Sequence, residues 1–250
     1  MKILPPGSVE RKRRAWTGCK PLASFMLVSL LTRVRDARLV WDVMGPIYNR
    51  HIYGAIAELY GHIAREMQVA NLANVLDVGS GRGYISLLLA AESPQANIVG
   101  IDFSSTQVRA AEGLRRQRRI DNCRFQRGNA VELPFPNGSF DAAVSVGSIK
   151  HWPDGVQGLK EIHRILKPGG RAVIAETDRD VSDEALWEFV RRFHIWFIWD
   201  PLLFWGLRHV VFGRSFTQEG LEEVVRAAGF ENCIPQRVPT CPYTIVKAQK

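Results

Sequence analysis

NVLDVGSGRGYISLLLA, Asn74–Ala90, is the stretch whose reading decides the fold. An apolar run closes on Asp77, a loop carrying Gly79, Gly81 and Gly83 follows, and the next residues read as a helix. A strand that passes through a glycine turn into a helix opens a βαβ unit. Glycines let the backbone approach a ligand closely. The start of a helix adds N–H groups and a partial positive charge. The spacing is Gly79-x-Gly81-x-Gly83, whereas a dinucleotide fingerprint places its third glycine one position later, where this chain has Tyr84.

Outward from this stretch, β-rich runs alternate with helical patterns. Strands are expected at 97–102, 123–128, 141–147 and 171–176, with helices at 104–119 and 154–170, the latter stopped by Pro168 and Gly169–Gly170. Ser104 and Gln107 have the spacing of a capping box, and Thr217 reads as the N-cap of a helix over 217–230. Two more β-like runs, 231–239 and 243–249, bring the strands to seven. The order predicts an α/β domain of the Rossmann-like, doubly wound kind, with a mostly parallel sheet covered on both faces. Two regions depart from the rhythm. Residues 41–67 read as an amphipathic helical extension at the start of a domain spanning 41–250. Residues 177–216, dense in Trp and Phe, read as a helical insert that serves as an aromatic lid.

Composition narrows the class. The 250 residues suffice for one large α/β domain. Cys19, Cys123, Cys233 and Cys241 are far apart, which fits a reduced cytoplasmic setting and gives neither a disulfide framework nor a metal site. His151 and Asp154 alone are too few to hold a metal ion. The net charge is +8, and residues 1–40 hold nine basic residues against two acidic ones, so the basicity belongs to an N-terminal arm. The arm also contains the apolar segment Pro21–Leu31, too short to span a bilayer, which takes ~20 residues. Such an arm can meet lipid headgroups at a membrane surface, and it reads equally as a solvated tail.

Asp77 before the glycine loop and Asp102 at the end of the next strand complete a pattern: strand, acid, loop, helix, strand, terminal acid. A carboxylate in the second position can accept both hydroxyls of a ribose. With these residues in place, the sequence resembles the class I S-adenosylmethionine-dependent methyltransferases over about residues 70–250. The likeness rests on LDVGSGRGY (76–84), GIDFS (100–104), GNAVELPFPNGSFDAAVSV (128–146) and LKPGGRAVIAE (166–176). More loosely, MGPIYNRHIYG (44–54) is similar to the opening segment of the quinone-biosynthesis and small-molecule methyltransferases.

The resemblance implies S-adenosyl-L-methionine as cofactor. It implies that Gly79, Ser80 and Gly81 border the methionine portion and that Asp77 engages its ammonium end. Asp102 takes the ribose hydroxyls, Phe103 packs on the adenine, and Asn129 and Ala130 meet the adenine edge. Val146 runs beside the sulfonium and Tyr48 packs over the cofactor. Relatives usually carry Asp where this chain has Asn129, a mild departure that leaves an acceptor oxygen in place. Taken singly, each of these residues also has a plain reading as a turn glycine, helix cap or loop residue.

A methyl acceptor is expected on the lid side. His151, in SIKHWPD, is the candidate base or orienting donor, and His51, Trp196 and Trp199 are candidate substrate contacts. The aromatic insert favours a small, hydrophobic acceptor that is aromatic, quinone-like or lipid-like. A nucleic-acid acceptor is disfavoured. RRQRR (115–119) supplies charge, but the loop after the fourth strand reads SVGSIKHW, without the Asn/Asp-Pro-Pro-aromatic motif of base-methylating enzymes. A cofactor-binding adaptor without turnover, at a membrane or a partner protein, is the remaining alternative. The residues do not give the oligomeric state.

Overall fold

The computed structural model describes residues 54–71, 73–192, 200–239 and 241–250. The basic arm, Tyr48, His51, Trp196 and Trp199 lie outside the described residues.

Helix α1 (54–67) leads into β1 (Asn74–Val78), α2 (Tyr84–Glu92), β2 (Asn97–Asp102), α3 (Ser105–Gln117), β3 (Cys123–Arg127) and β4 (Phe140–Val146). A short 3₁₀ turn, Ile149–His151, precedes α4 (Gly155–Ile165) and β5 (Leu166–Thr177). Then come α5 (Asp183–Val190), α6 (Asp200–Gly206), a π-helical turn (Leu207–Val211) and a 3₁₀ turn (Phe212–Arg214). Helix α7 (Gln218–Ala227) and the strands β6 (Glu231–Arg237) and β7 (Tyr243–Gln249) close the chain. The seven strands form one sheet in the order β3-β2-β1-β4-β5-β7-β6. Strands β1 to β5 pair in parallel, while β7 runs antiparallel to both β5 and β6. The order reverses between β1 and β4, where a doubly wound sheet leaves a crevice at its strand ends.

The period-2 pattern of the strands divides the core. Val75, Ile98, Ala142 and Val144 face one cluster, covered by α1, α2 and α3. Leu76, Val99, Ile101 and Ala143 face the other, under α4 and α7. Ile56, Leu59, Ile63 and Met67 present the buried face of α1 at helical spacing. Ion pairing of Glu66 with Lys247 at 2.8 Å and a 3.1 Å contact between His62 Nε2 and Gln236 Nε2 hold that helix to β7 and β6.

Caps follow the sequence. Ser104 accepts from Gln107 N–H, Asp154 from Gln157 N–H and Thr217 from Gly220 N–H. One boundary differs from expectation: α4 stops at Ile165, and Leu166–Gly170 already belongs to β5. Leu166 pairs with Phe140 and Arg171 with Ala142, so Lys167–Gly170 bulge out of the ladder. The described part of the insert is helical, and it contributes Leu186, Phe189, Val190, Leu207 and Phe212 to the core. Trp187 stacks on Phe204 with centroids 4.4 Å apart.

Candidate active site

A cavity of about 720 Å³ opens at the C-terminal ends of β1, β2 and β4. Asp77, Gly79, Ser80, Gly81, Asp102, Phe103, Asn129, Ala130, Val146 and His151 all line it. The structure therefore brings together every candidate site residue that falls within the described part of the chain.

Register explains the convergence. Asp77 lies beside Gly100 of β2 and Val144 of β4, on the face covered by α2. It is 1% exposed and accepts a hydrogen bond from Ser86 Oγ. Burial pushes its carboxyl up to about 7, and the neighbouring charge of Asp102 adds to the rise. Asp102 is less buried and spans the loop. Its Oδ2 accepts from Gly81 N–H and its Oδ1 from Ser104 N–H, each at 2.9 Å.

Loop geometry separates this site from a phosphate cradle. Gly79, Gly81 and Gly83 all have positive φ, +75°, +52° and +75°. A Cβ at Gly79 would meet Ser148 Oγ at 2.4 Å, so the loop passes directly under the end of β4. The N–H groups of Gly79 and Ser80 donate to Ile101 O, that of Gly81 to Asp102, and that of Gly83 to Ser80 O. These donors are engaged within the protein and not turned outward in a ring, as a pyrophosphate requires.

The donor set fits S-adenosylmethionine. The buried Ser80 Oγ and Arg82 Nε have no hydrogen-bond partner among the described residues, and both residues line the cavity. Phe103 is 41% exposed and lines the cavity, an aromatic surface on which a flat ring can pack. Asp77 and Asp102 line the cavity with two carboxylates, which suits a ligand that is cationic at one end, carries a diol and has no phosphate.

A methyltransferase-domain family model matches residues 70–200. The demethylmenaquinone methyltransferase of Geobacillus stearothermophilus is 33% identical over 193 residues, 73% of this chain and 79% of that protein. The chain belongs to the class I S-adenosylmethionine-dependent methyltransferases. A SAM-dependent methyltransferase from Thermotoga maritima shares the fold at 21% identity and a TM-score of 0.60, over 86% of this chain and 100% of that one. So does the [4+2]-cyclase SpnF, at 22% identity and a TM-score of 0.58, over 77% and 80%. The fold of this methyltransferase is thus shared by a protein whose name states a different reaction, and the acceptor has to be argued from the site.

Several lining residues of the methyltransferase were not singled out in its sequence. Tyr60 of α1 and Tyr84 of α2 meet at 6.2 Å on one wall. Trp152 follows His151 and packs over Gly158, where a Cβ would lie 2.3 Å from the indole. Tyr243, 5% exposed, reaches the wall from β7. Its signal was hidden because β7 is antiparallel: only the reversal brings the first residue of that strand to the ligand-binding end of the sheet. None of the described insert residues lines the cavity. Among the described residues no cluster of metal-ligating side chains occurs, and no helix is long and apolar enough to cross a membrane.

Proposed function

We propose that this methyltransferase alkylates a small hydrophobic acceptor of the quinol or phenol type. The observation that carries the reading is the 33% identity to a demethylmenaquinone methyltransferase across most of both chains. The wall beyond the glycine loop, with Val146, Trp152 and Tyr243, is apolar and aromatic in keeping with it.

Bound S-adenosylmethionine supplies a methyl group already activated on a sulfonium. The chain has to add positioning, exclusion of water and, for a carbon or hydroxyl acceptor, a destination for one proton. On this reading Asp102 holds the ribose hydroxyls. Such a carboxylate accepts about four hydrogen bonds, and those from the Gly81 and Ser104 N–H groups fix its orientation. Asp77 meets the ammonium, and Phe103, Asn129 and Ala130 meet the adenine. Val146 borders the reacting centre, and His151 beside it takes the acceptor's proton. The same reading keeps Tyr48 as a cofactor contact, His51, Trp196 and Trp199 as substrate contacts, and 177–216 as the lid of a domain spanning 41–250. The basic arm of residues 1–40 assists delivery of a lipophilic acceptor by resting on anionic headgroups.

The test is anaerobic transfer of labelled methyl from S-adenosylmethionine to reduced 1,4-naphthoquinone, with a phenol, histamine and an RNA pool in parallel. Label on the naphthoquinol ring, depressed at least tenfold in His151→Ala, supports the assignment. Label on histamine or RNA with none on quinol or phenol overturns it.

A further inference from the structure

Lys150 and Glu176 form an ion pair at 2.6 Å with side chains 3% and 0% exposed. Neither residue lines the cavity. Taking two charges out of water costs several kcal/mol for each, and an apolar pair of equal volume often stabilises a fold as well or better. Stability alone is therefore a poor reason for this pair. Its bonding points to another one. Glu176 is the penultimate residue of β5, and its carboxylate also faces the N–H groups of Thr177 at 3.3 Å and Lys150 at 3.4 Å. Lys150 Nζ donates in addition to the Gly147 carbonyl at 2.9 Å. Gly147 N–H returns the tie by donating to Ala175 O at 2.7 Å.

The tied segment carries the acceptor-side wall. Val146, Gly147, Ser148 and His151 line the cavity, and so does Tyr243, which pairs with Thr177 across the sheet. A Cβ at Gly147 would lie 3.6 Å from Tyr243 Oη and 3.7 Å from Lys150 Nζ, so the ammonium stands immediately behind this wall. An apolar pair would fill the same volume but leave the Gly147 carbonyl without this donor. An ammonium, with three donors, reaches carbonyl and carboxylate together.

We propose that the buried Lys150–Glu176 pair is a positioning clamp for methyl transfer, fixing Gly147–His151 and the neighbouring Tyr243 hydroxyl relative to the reacting centre. The proposal rests on the acceptor side of the site being the one assigned above. The clamp acts chiefly on turnover, because it ties the end of β5 to the segment after β4, whereas Asp77 and Asp102 stand on β1 and β2.

The test compares the full-length wild type with Lys150→Met/Glu176→Leu, Glu176→Gln and Lys150→Arg. The apolar double variant removes the charges without leaving one uncompensated, and the isosteric Glu176→Gln serves if the double variant does not fold. Three readouts are taken: S-adenosylhomocysteine affinity by calorimetry, amide hydrogen exchange at His151 and Trp152 in the S-adenosylhomocysteine-loaded protein, and kcat and KM on reduced 1,4-naphthoquinone. Expected are affinity within about twofold of wild type, faster exchange at both amides, and a kcat lowered roughly 10- to 100-fold with an unchanged cofactor KM. Lys150→Arg, which keeps charge and donors, recovers part of the loss. Wild-type exchange in the charge-free variant overturns the clamp, as does wild-type kcat. A wild type inert on naphthoquinol refutes the acceptor reading instead, and the exchange data then decide the clamp.

Discussion

Asp77 shows what a single residue contributes to this site and what it costs. In an unfolded chain its carboxyl ionises near 3.8, and in the fold it is held at about 7. Between those values the folded state carries a proton that the unfolded state has lost. Stability therefore declines as pH rises through that window, and the full cost is present above about 7. An aspartate buried at such expense is suited to a cation, which favours the ionised form. S-adenosylhomocysteine retains the ammonium group, so its affinity is expected to rise between about pH 6 and pH 8, with a proton released on binding. Calorimetry in buffers of different ionisation enthalpy measures that release. Asp77→Asn should abolish the proton release, flatten the pH dependence, weaken binding and raise the melting temperature of the ligand-free protein at pH 8. Wild-type affinity of Asp77→Asn at pH 8 would remove Asp77 from the ammonium site.

At the scale of elements, the β1–α2 connection is shaped as much by packing as by ligand. Gly83 has φ +75° at the N-cap of α2, and a Cβ there would sit 2.2 Å from the ring of Phe125 on β3. Gly83→Ala thus combines a left-handed backbone with overpacking. A loss of about 2–4 kcal/mol in urea denaturation is expected, with cofactor affinity falling as the loop shifts. An unchanged urea midpoint would show that Phe125 yields freely. This third glycine, one position short of a dinucleotide fingerprint, was legible in the sequence as a departure. Its reason, the ring of Phe125 from a strand 42 residues on, was not. The same division holds elsewhere. Continuous apolar runs announced β1, β2 and β4, and Ser104 and Thr217 announced their helices, because those signals are local. The early start of β5 was missed because Pro168, Gly169 and Gly170 normally end an element, whereas here they form a bulge inside one. Lys150 and Glu176 were invisible as a pair, since 26 residues and a crossover helix separate them.

For the whole molecule, the strand order divides the labour. The ends of β1 and β2 hold the two carboxylates, while the end of β4 and the reversed β7 carry His151 and Tyr243 on the far side of the switch point. A parallel β7 would deliver Gln249, not Tyr243, to the active end. The topology thus predicts two classes of variant. Asp102→Ala removes a charged acceptor of the kind worth ~1.5–3 kcal/mol, so S-adenosylhomocysteine binding should weaken roughly 10- to 100-fold. Tyr243→Phe keeps the ring and loses only the hydroxyl, so cofactor affinity should hold within about twofold while kcat on reduced 1,4-naphthoquinone falls about tenfold or more. Calorimetry and steady-state rates on the same preparations separate the two. A Tyr243→Phe protein that loses cofactor affinity as Asp102→Ala does would place the phenol on the cofactor, and the acceptor would then have to enter from another wall of the cavity.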